Sequence, residues 1–275
     1  MRSTSYSELT TFQRCPWRWG CRYLRHLEQA EPPAGLRVGR ALHKALASYY
    51  MGLSPDFDSI ANEDDRELCR RVIKDYADRW AHPDLEDYDV LATEWPFVVS
   101  VPTPQGVRSN FRLLGWIDLI VRNARGDIEV MDHKTGKSFP RSGTELSMDA
   151  QLLTYLWALR LMGVDVSVGR LNLIRLTKET QFNRIDMLYT TERLDRWGEN
   201  IYKICRSLPA PSATMDDLAR SVTRTCYWDC PYYDICLLDL SGDDIVPLIS
   251  SGFQISESRR TLSSYNRSVP ASWLR

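Results

Sequence analysis

The reading of this chain turns on Leu113-Leu114-Gly115-Trp116-Ile117-Asp118-Leu119-Ile120-Val121, followed after a turn by Ile128-Glu129-Val130-Met131-Asp132-His133-Lys134. The apolar run over residues 112–121 predicts a buried strand. Ala124-Arg125-Gly126-Asp127 carries turn chemistry, and residues 128–131 predict a second strand that delivers Asp132. Two adjacent antiparallel strands then present two carboxylates and one ammonium at neighbouring points of a sheet. Carboxylates so placed repel unless a hard cation sits between them, and oxygen ligands favour magnesium or manganese. Lys134, two residues beyond Asp132, leaves the strand on the same face and can orient a water there. Cation, nucleophilic water and ammonium are the parts that phosphodiester hydrolysis requires.

By itself Asp132-x-Lys134 is a common triplet, equally at home as a solvated pair on a surface strand. Its neighbours give it meaning. Upstream, Gly39-x-x-x-His43 falls in a helical stretch over 38–50; downstream, Gln151-x-x-x-Tyr155 falls in a predicted helix over 148–161, at i and i+4 on one face. In this order the pieces resemble the nuclease motifs of the RecB-like branch of the PD-(D/E)xK superfamily, across roughly residues 1–240. The resemblance implies His43, Asp118 and Asp132 as metal ligands, with the main-chain carbonyl of His133 completing the inner shell. It implies Lys134 as the catalytic lysine, and Gln151 and Tyr155 as supports of the site or the substrate. Glu94, in a strand predicted over 90–101, resembles the acidic strand that precedes the catalytic hairpin. It either binds metal through water or supports the site by pairing with an arginine.

At 275 residues and 43% hydrophobic content, the chain can bury a substantial core as one domain with appendages. A net charge of −1 gives no global attraction to nucleic acid, so binding must come from local patches. No signal peptide and no membrane-length apolar run is apparent, and seven cysteines is an odd count. These features point to thiols or metal ligands in a reducing cytoplasm rather than a disulfide framework. No phosphate-binding Gly-rich Lys-Ser/Thr loop occurs, which argues against a helicase or an ATPase of that class.

The N-terminal stretch predicts a helix capped by Ser5 or Ser7 and stopped at Pro16. Beyond it, Trp17-Arg18-Trp19-Gly20-Cys21-Arg22-Tyr23 interleaves cations with aromatics. That mixture suits a phosphate backbone with bases stacking beside it, which nominates Arg14, Arg18 and Arg22 as DNA contacts. An ordinary helix with an aromatic core face and an arginine face reads equally well. Pro32-Pro33-Ala34-Gly35 reads as a linker. Cys69 and Cys205 fall in amphipathic helices over 64–80 and 191–208 and read as buried thiols.

Near the other end stands Cys226-x-x-x-Cys230-Pro231-x-x-x-x-Cys236. Three cysteines this close are crowded as core thiols and one short as a tetrahedral ligand set; Cys15 supplies the fourth. The arrangement resembles the 4Fe-4S staple of AddB-type and CRISPR-associated Cas-four type nucleases. Here the first pair is separated by three residues rather than the commoner two, so the register stays open, with Cys21 as the reserve ligand. Four thiolates also suit a structural zinc ion.

The expected fold is α/β: a central mixed sheet of about five strands flanked by helices, with a nuclease core over 33–208. An iron–sulfur subdomain of 1–32 plus 209–249 and a polar tail over 250–275, either mobile or a partner-binding strip, complete the chain. The expected function is a magnesium- or manganese-dependent deoxyribonuclease, and the resemblance implies an exonuclease acting on single strands or frayed duplex ends. The alternative is a catalytically silent adaptor of a DNA-processing complex. Resemblance names a helicase or CRISPR adaptation proteins as partners, and homo-oligomerisation is left open.

Overall fold

The computed structural model describes residues 1–138, 149–256 and 269–274. Its centre is a mixed sheet of six strands. The hairpin of β3 (Tyr88–Pro102) and β4 (Arg108–Asn123) is its longest pairing. β5 (Ile128–Gly136) returns antiparallel along β4, and β6 (Val166–Arg175) adds to β5 in parallel. β7 (Gln181–Leu188) closes that edge antiparallel to β6. The sixth strand, β1 (Arg2–Ser5), pairs parallel with β4 and lies outside the five expected. Its Arg-Ser-Thr-Ser sequence has no apolar alternation to announce it.

Helices cover both faces. On one, α3 (Ala34–Tyr50) and α4 (Glu63–Asp87) bury Leu42, Leu46, Val72 and Tyr76 against Leu119, Val121, Met131 and Ile174 of the sheet. α3 begins at Ala34, inside the stretch expected to be a linker, with Pro33 at its N-cap. Proline's fixed φ and missing N–H are tolerated there, where no intrahelical bond is lost. On the other face, α5 (Ala150–Leu161) and α6 (Thr191–Ser207) pack over Ile120, Val130, Leu171 and Leu173. These two helices touch closely at Gly198, where a Cβ would lie 2.2 Å from Trp157 Nε1. Cys69 and Cys205 are buried in α4 and α6.

The N-terminal helices α1 (Tyr6–Arg14) and α2 (Pro16–Trp19) join the α5–α6 face, with Ser5 Oγ accepting from Glu8 N at 3.2 Å as the N-cap. Trp17 and Trp19 are each 2% exposed. Their aromatic faces are core and cannot stack on bases, which corrects that half of the expected nucleic-acid patch. The tail assigned to residues 250–275 is not loose at its described ends. β8 (Phe253–Ile255) pairs antiparallel with β2 (Leu27–Gln29), and Trp273 packs on Trp95. Burial of Phe253 and Trp273 outweighs the polar composition around them; residues 257–268 lie outside the described set. No described helix is long and apolar enough to cross a membrane.

A candidate metal site at a gap in the sheet and a cysteine-lined cavity

β4 receives β1 and β5 on one edge and β3 on the other. β1 pairs with residues 111–114 and β5 with residues 119–122, so residues 115–118 face a gap on that edge. The β4–β5 ladder ends at Leu119↔Met131, one step before Asp118 and Asp132 would stand directly opposite. The strands part where the two carboxylates meet. Across β4 the other partner is Glu94, between the pairs Thr93↔Leu119 and Trp95↔Ile117. Its φ of 44° is a left-handed conformation that strains a non-glycine residue inside a strand. Side-chain alternation slips at the same point: Ile117 and Ile120 both face α5 and α6, while Leu119 faces α3 and α4.

From α3, His43 reaches the gap and brings Nδ1 to 3.4 Å from Asp118 Oδ2. One ligand atom from each of His43, Glu94 and Asp118 lies within 4.8 Å of the others. Gly39, one turn earlier, lets α3 approach β5; a Cβ there would sit 3.1 Å from Thr135 Oγ1. The His133 main-chain N–H donates to Asp118 Oδ2 at 2.8 Å. Burial pushes the Asp118 carboxyl up, but hydrogen bonds and charge from His43 and His133 outweigh it and leave it below the ordinary value. Burial lowers His43, yet Asp118 more than compensates and raises it overall.

Asp132 is 1% exposed, and burial pushes its pKa up to about 7 against the pull of Lys134. Lys134 Nζ lies 2.6 Å from Asp132 Oδ2 and donates to Gln151 Oε1 at 2.7 Å. Asp132 Oδ1 has no hydrogen-bond partner among the described residues. A buried carboxylate oxygen without a donor is a place for a cation. Gln151 Nε2 in turn donates to Tyr155 OH at 2.6 Å, so the expected i, i+4 pair forms and orients the lysine. Asp149, the N-cap of α5, stands 4.0 Å from Lys134 Nζ.

The structure thus brings His43, Asp118, Asp132, His133, Lys134, Gln151 and Tyr155 together. It also draws in Glu94 and Asp149. Glu94 was legible as an acidic residue before the hairpin but not as part of the tight triad, because its backbone turn has no glycine to mark it. Asp149 reads in sequence only as a helix cap. β5 runs on through Thr135 and Gly136, and residues 139–148 lie outside the described set.

A second constellation lies at the opposite end of the chain order. Cys15, Cys226, Cys230 and Cys236 line one cavity of about 290 Å³, together with Arg14, Arg18 and Arg220. All are free thiols. Cys15 Sγ accepts from the main-chain N–H groups of Arg18 and Ser221, each at 3.5 Å. Cys226 Sγ accepts from Thr223 N at 3.3 Å, and these contacts with Thr223 lower its pKa. Burial raises the thiols of Cys230 and Cys236, with Arg220 hydrogen-bonded to the latter. N–H groups aimed at the sulfurs of Cys15 and Cys226, with arginines around them, are the hydrogen bonds that metal-bound sulfur accepts and so fit a bound metal group. Cys21 is fully buried outside the cavity lining, and burial pushes its thiol up to about 12. Arg14 and Arg18 both pair with Asp229, and Arg22 lies 4.0 Å from Glu28.

A family model described as "PD-(D/E)XK nuclease superfamily" matches residues 3–237. No curated protein sequence matches the chain. Among solved structures, the chain is similar to a "Putative exonuclease" from Eubacterium rectale, at 13% identity and a TM-score of 0.50, covering 82% of this chain and 87% of that one. It is also similar to SSO0001, at 16% identity and a TM-score of 0.39, covering 85% of each chain.

Proposed function

The chain belongs to the PD-(D/E)XK nuclease superfamily, and from that premise we propose a magnesium- or manganese-dependent deoxyribonuclease that acts as an exonuclease on single-stranded or frayed DNA. The observation that carries the metal dependence is the convergence of His43, Glu94 and Asp118 within 4.8 Å, beside a buried Asp132 paired to Lys134. One imidazole and carboxylate oxygens are a donor set suited to manganese and magnesium. A divalent cation held there supplies Lewis acidity to the scissile phosphate and stabilises the leaving oxygen.

The chain's own groups do the rest. His43, Glu94 and Asp118 would hold the cation, with Asp132 and its unpartnered Oδ1 as a further carboxylate of the site. Lys134, fixed by Asp132 and Gln151, orients the attacking water and offsets negative charge developing on the phosphate. Gln151 and Tyr155 keep the ammonium aimed. The exonuclease form and any helicase or CRISPR adaptation partner rest on resemblance to the RecB-like branch.

At the second constellation, the four thiols are the proposed ligands of a 4Fe-4S cluster. The cavity lining supports Cys15 over Cys21 as fourth ligand. Four thiolates also suit a structural zinc ion, so the choice of an iron–sulfur cluster rests on the resemblance to the iron–sulfur nucleases.

The test is release of nucleotides from end-labelled single-stranded and duplex DNA by anaerobically purified protein, with magnesium, manganese or a chelator. Asp118→Asn and Glu94→Gln should lose both cleavage and manganese binding measured by calorimetry. Lys134→Ala should lose at least about 100-fold in rate, the scale of one lost charge-stabilising donor, while still binding manganese. Wild-type protein that cleaves nothing in either metal refutes the reading.

A further inference from the structure

Behind the site lies a buried polar chain that the reaction does not use. His133 stands between Asp132 and Lys134, and period-two alternation sends its ring to the opposite face of β5. There it lies flat against Tyr50 of α3, with ring centroids 6.0 Å apart and planes 11° apart, and its Nδ1 meets the Asn172 amide at 2.8 Å. Asn172, on β6, also donates to Tyr76 OH of α4 at 2.9 Å. The Tyr76 and Tyr50 hydroxyls are 2.6 Å apart, and Tyr50 donates to Asp84 Oδ2 at 2.9 Å. From β7, Arg184 donates to both hydroxyls at 3.0 and 2.9 Å and to Asp84 at 2.8 Å. Five elements meet in this chain, and Asn172 and Tyr76 are fully buried.

At its inner end the chain reaches the site through the His133 N–H to Asp118 Oδ2, the oxygen that also faces His43, and through the His133 ring, which meets His43 edge-on with centroids 5.8 Å apart. Buried polar groups merely recover the desolvation they cost, so an apolar core of equal volume would be as stable. What a hydrogen-bonded network adds is a single geometry, here with Asn172 Oδ1 and Arg184 Nε left without a partner among the described residues.

We infer that the chain from Arg184 and Asp84 through Tyr50, Tyr76 and Asn172 to His133 is a positioning device for the metal-holding carboxylates. The ring of His133, pinned at Nδ1 and against Tyr50, fixes the β5 peptide whose N–H sets the orientation of Asp118. Asn172 and His133 are positioning residues rather than catalytic ones. The inference rests on the reading that His43, Glu94 and Asp118 hold a divalent cation.

The experiment compares Asn172→Leu, the milder Tyr76→Phe, and Val72→Ala as a control that removes apolar packing from the same helix, where Val72 is fully buried. Manganese affinity is read by calorimetry, kcat and KM on single-stranded DNA, and Tm by thermal unfolding. Val72→Ala should lower Tm and leave manganese affinity and kcat unchanged. Asn172→Leu and Tyr76→Phe should weaken manganese binding by about 10–100-fold and lower kcat with KM for DNA unchanged. Network variants that match the control, losing Tm with unaltered manganese affinity, overturn the positioning role while leaving the nuclease reading intact. Wild-type protein that binds no manganese overturns both.

Discussion

Asp132 shows what the site costs the fold. Its carboxyl is 1% exposed, and burial lifts its pKa to about 7 from an ordinary carboxylate value, even with Lys134 at 2.6 Å. A carboxyl with a raised folded-state pKa binds more protons folded than unfolded. Its contribution to stability is therefore fully present below the unfolded value, near 4, and is lost as pH rises through about 7. In metal-free protein Asp132→Asn should gain Tm relative to wild type as pH rises from about 4 to 8, the difference levelling off on either side. Thermal unfolding of both proteins in chelator across that range measures it, and a difference that does not change with pH would falsify the assignment. Metal should shrink the effect in wild type, because a cation compensates the charge that burial opposes. Glu94 tells a related story through its backbone: φ of 44° inside a strand is strain kept where a carboxylate must be turned toward His43 and Asp118.

Among the elements, the hairpin and its flanking helices were readable because hydrophobic period and turn chemistry agreed. Residues 112–121 fall inside β4, Gly126 takes φ of 92° in the predicted turn, and Gln151 and Tyr155 bond across one turn of α5. β1 escaped because four polar residues carry no period, and the gap it leaves with β5 is a property of two ladders that no single segment encodes. The tryptophans after Pro16 were ambiguous for a physical reason: aromatic rings serve a core and a base stack equally well, and only burial separates the two. Close packing between α5 and α6 was also invisible, since Gly198 looks in sequence like a flaw in a helix. It is a contact site. Gly198→Ala places a methyl against the Trp157 indole, and the better helix propensity of alanine does not offset that clash. Denaturant unfolding should show a loss of about 1–3 kcal/mol, the usual cost of overpacking a filled core. A gain in stability would mean that the two helices separate freely.

The chain as a whole is laced from its ends. β1 brings the N-terminus into the sheet beside the site, β2 pairs with β8 near the C-terminus, and Tyr232 OH donates to the carbonyl of Leu27 at 2.7 Å. Cys15 meets Cys226, Cys230 and Cys236 in the same region, so a group bound by all four closes a loop of more than two hundred residues. Closing a loop that long removes several kcal/mol of unfolded-chain freedom, about 5 by the reasoning used for disulfides. Arg14 and Arg18 already hold Asp229 across this junction, but exposed ion pairs contribute little by themselves. A cluster bound there therefore acts as a staple, and its loss should loosen the terminal region before the sheet. Cys15→Ala should remove iron and acid-labile sulfide together, whereas Cys21→Ser and Cys205→Ser should retain both. In hydrogen exchange, Cys15→Ala should lose protection over residues 1–29 and 220–255 while β4, β5 and β6 keep theirs. Loss of iron from Cys21→Ser but not from Cys15→Ala would reassign the fourth ligand. One zinc per chain with no sulfide would replace the cluster and keep the staple. Protection lost evenly across sheet and termini would instead mean that the group supports the entire fold cooperatively, and the staple would have no separate existence.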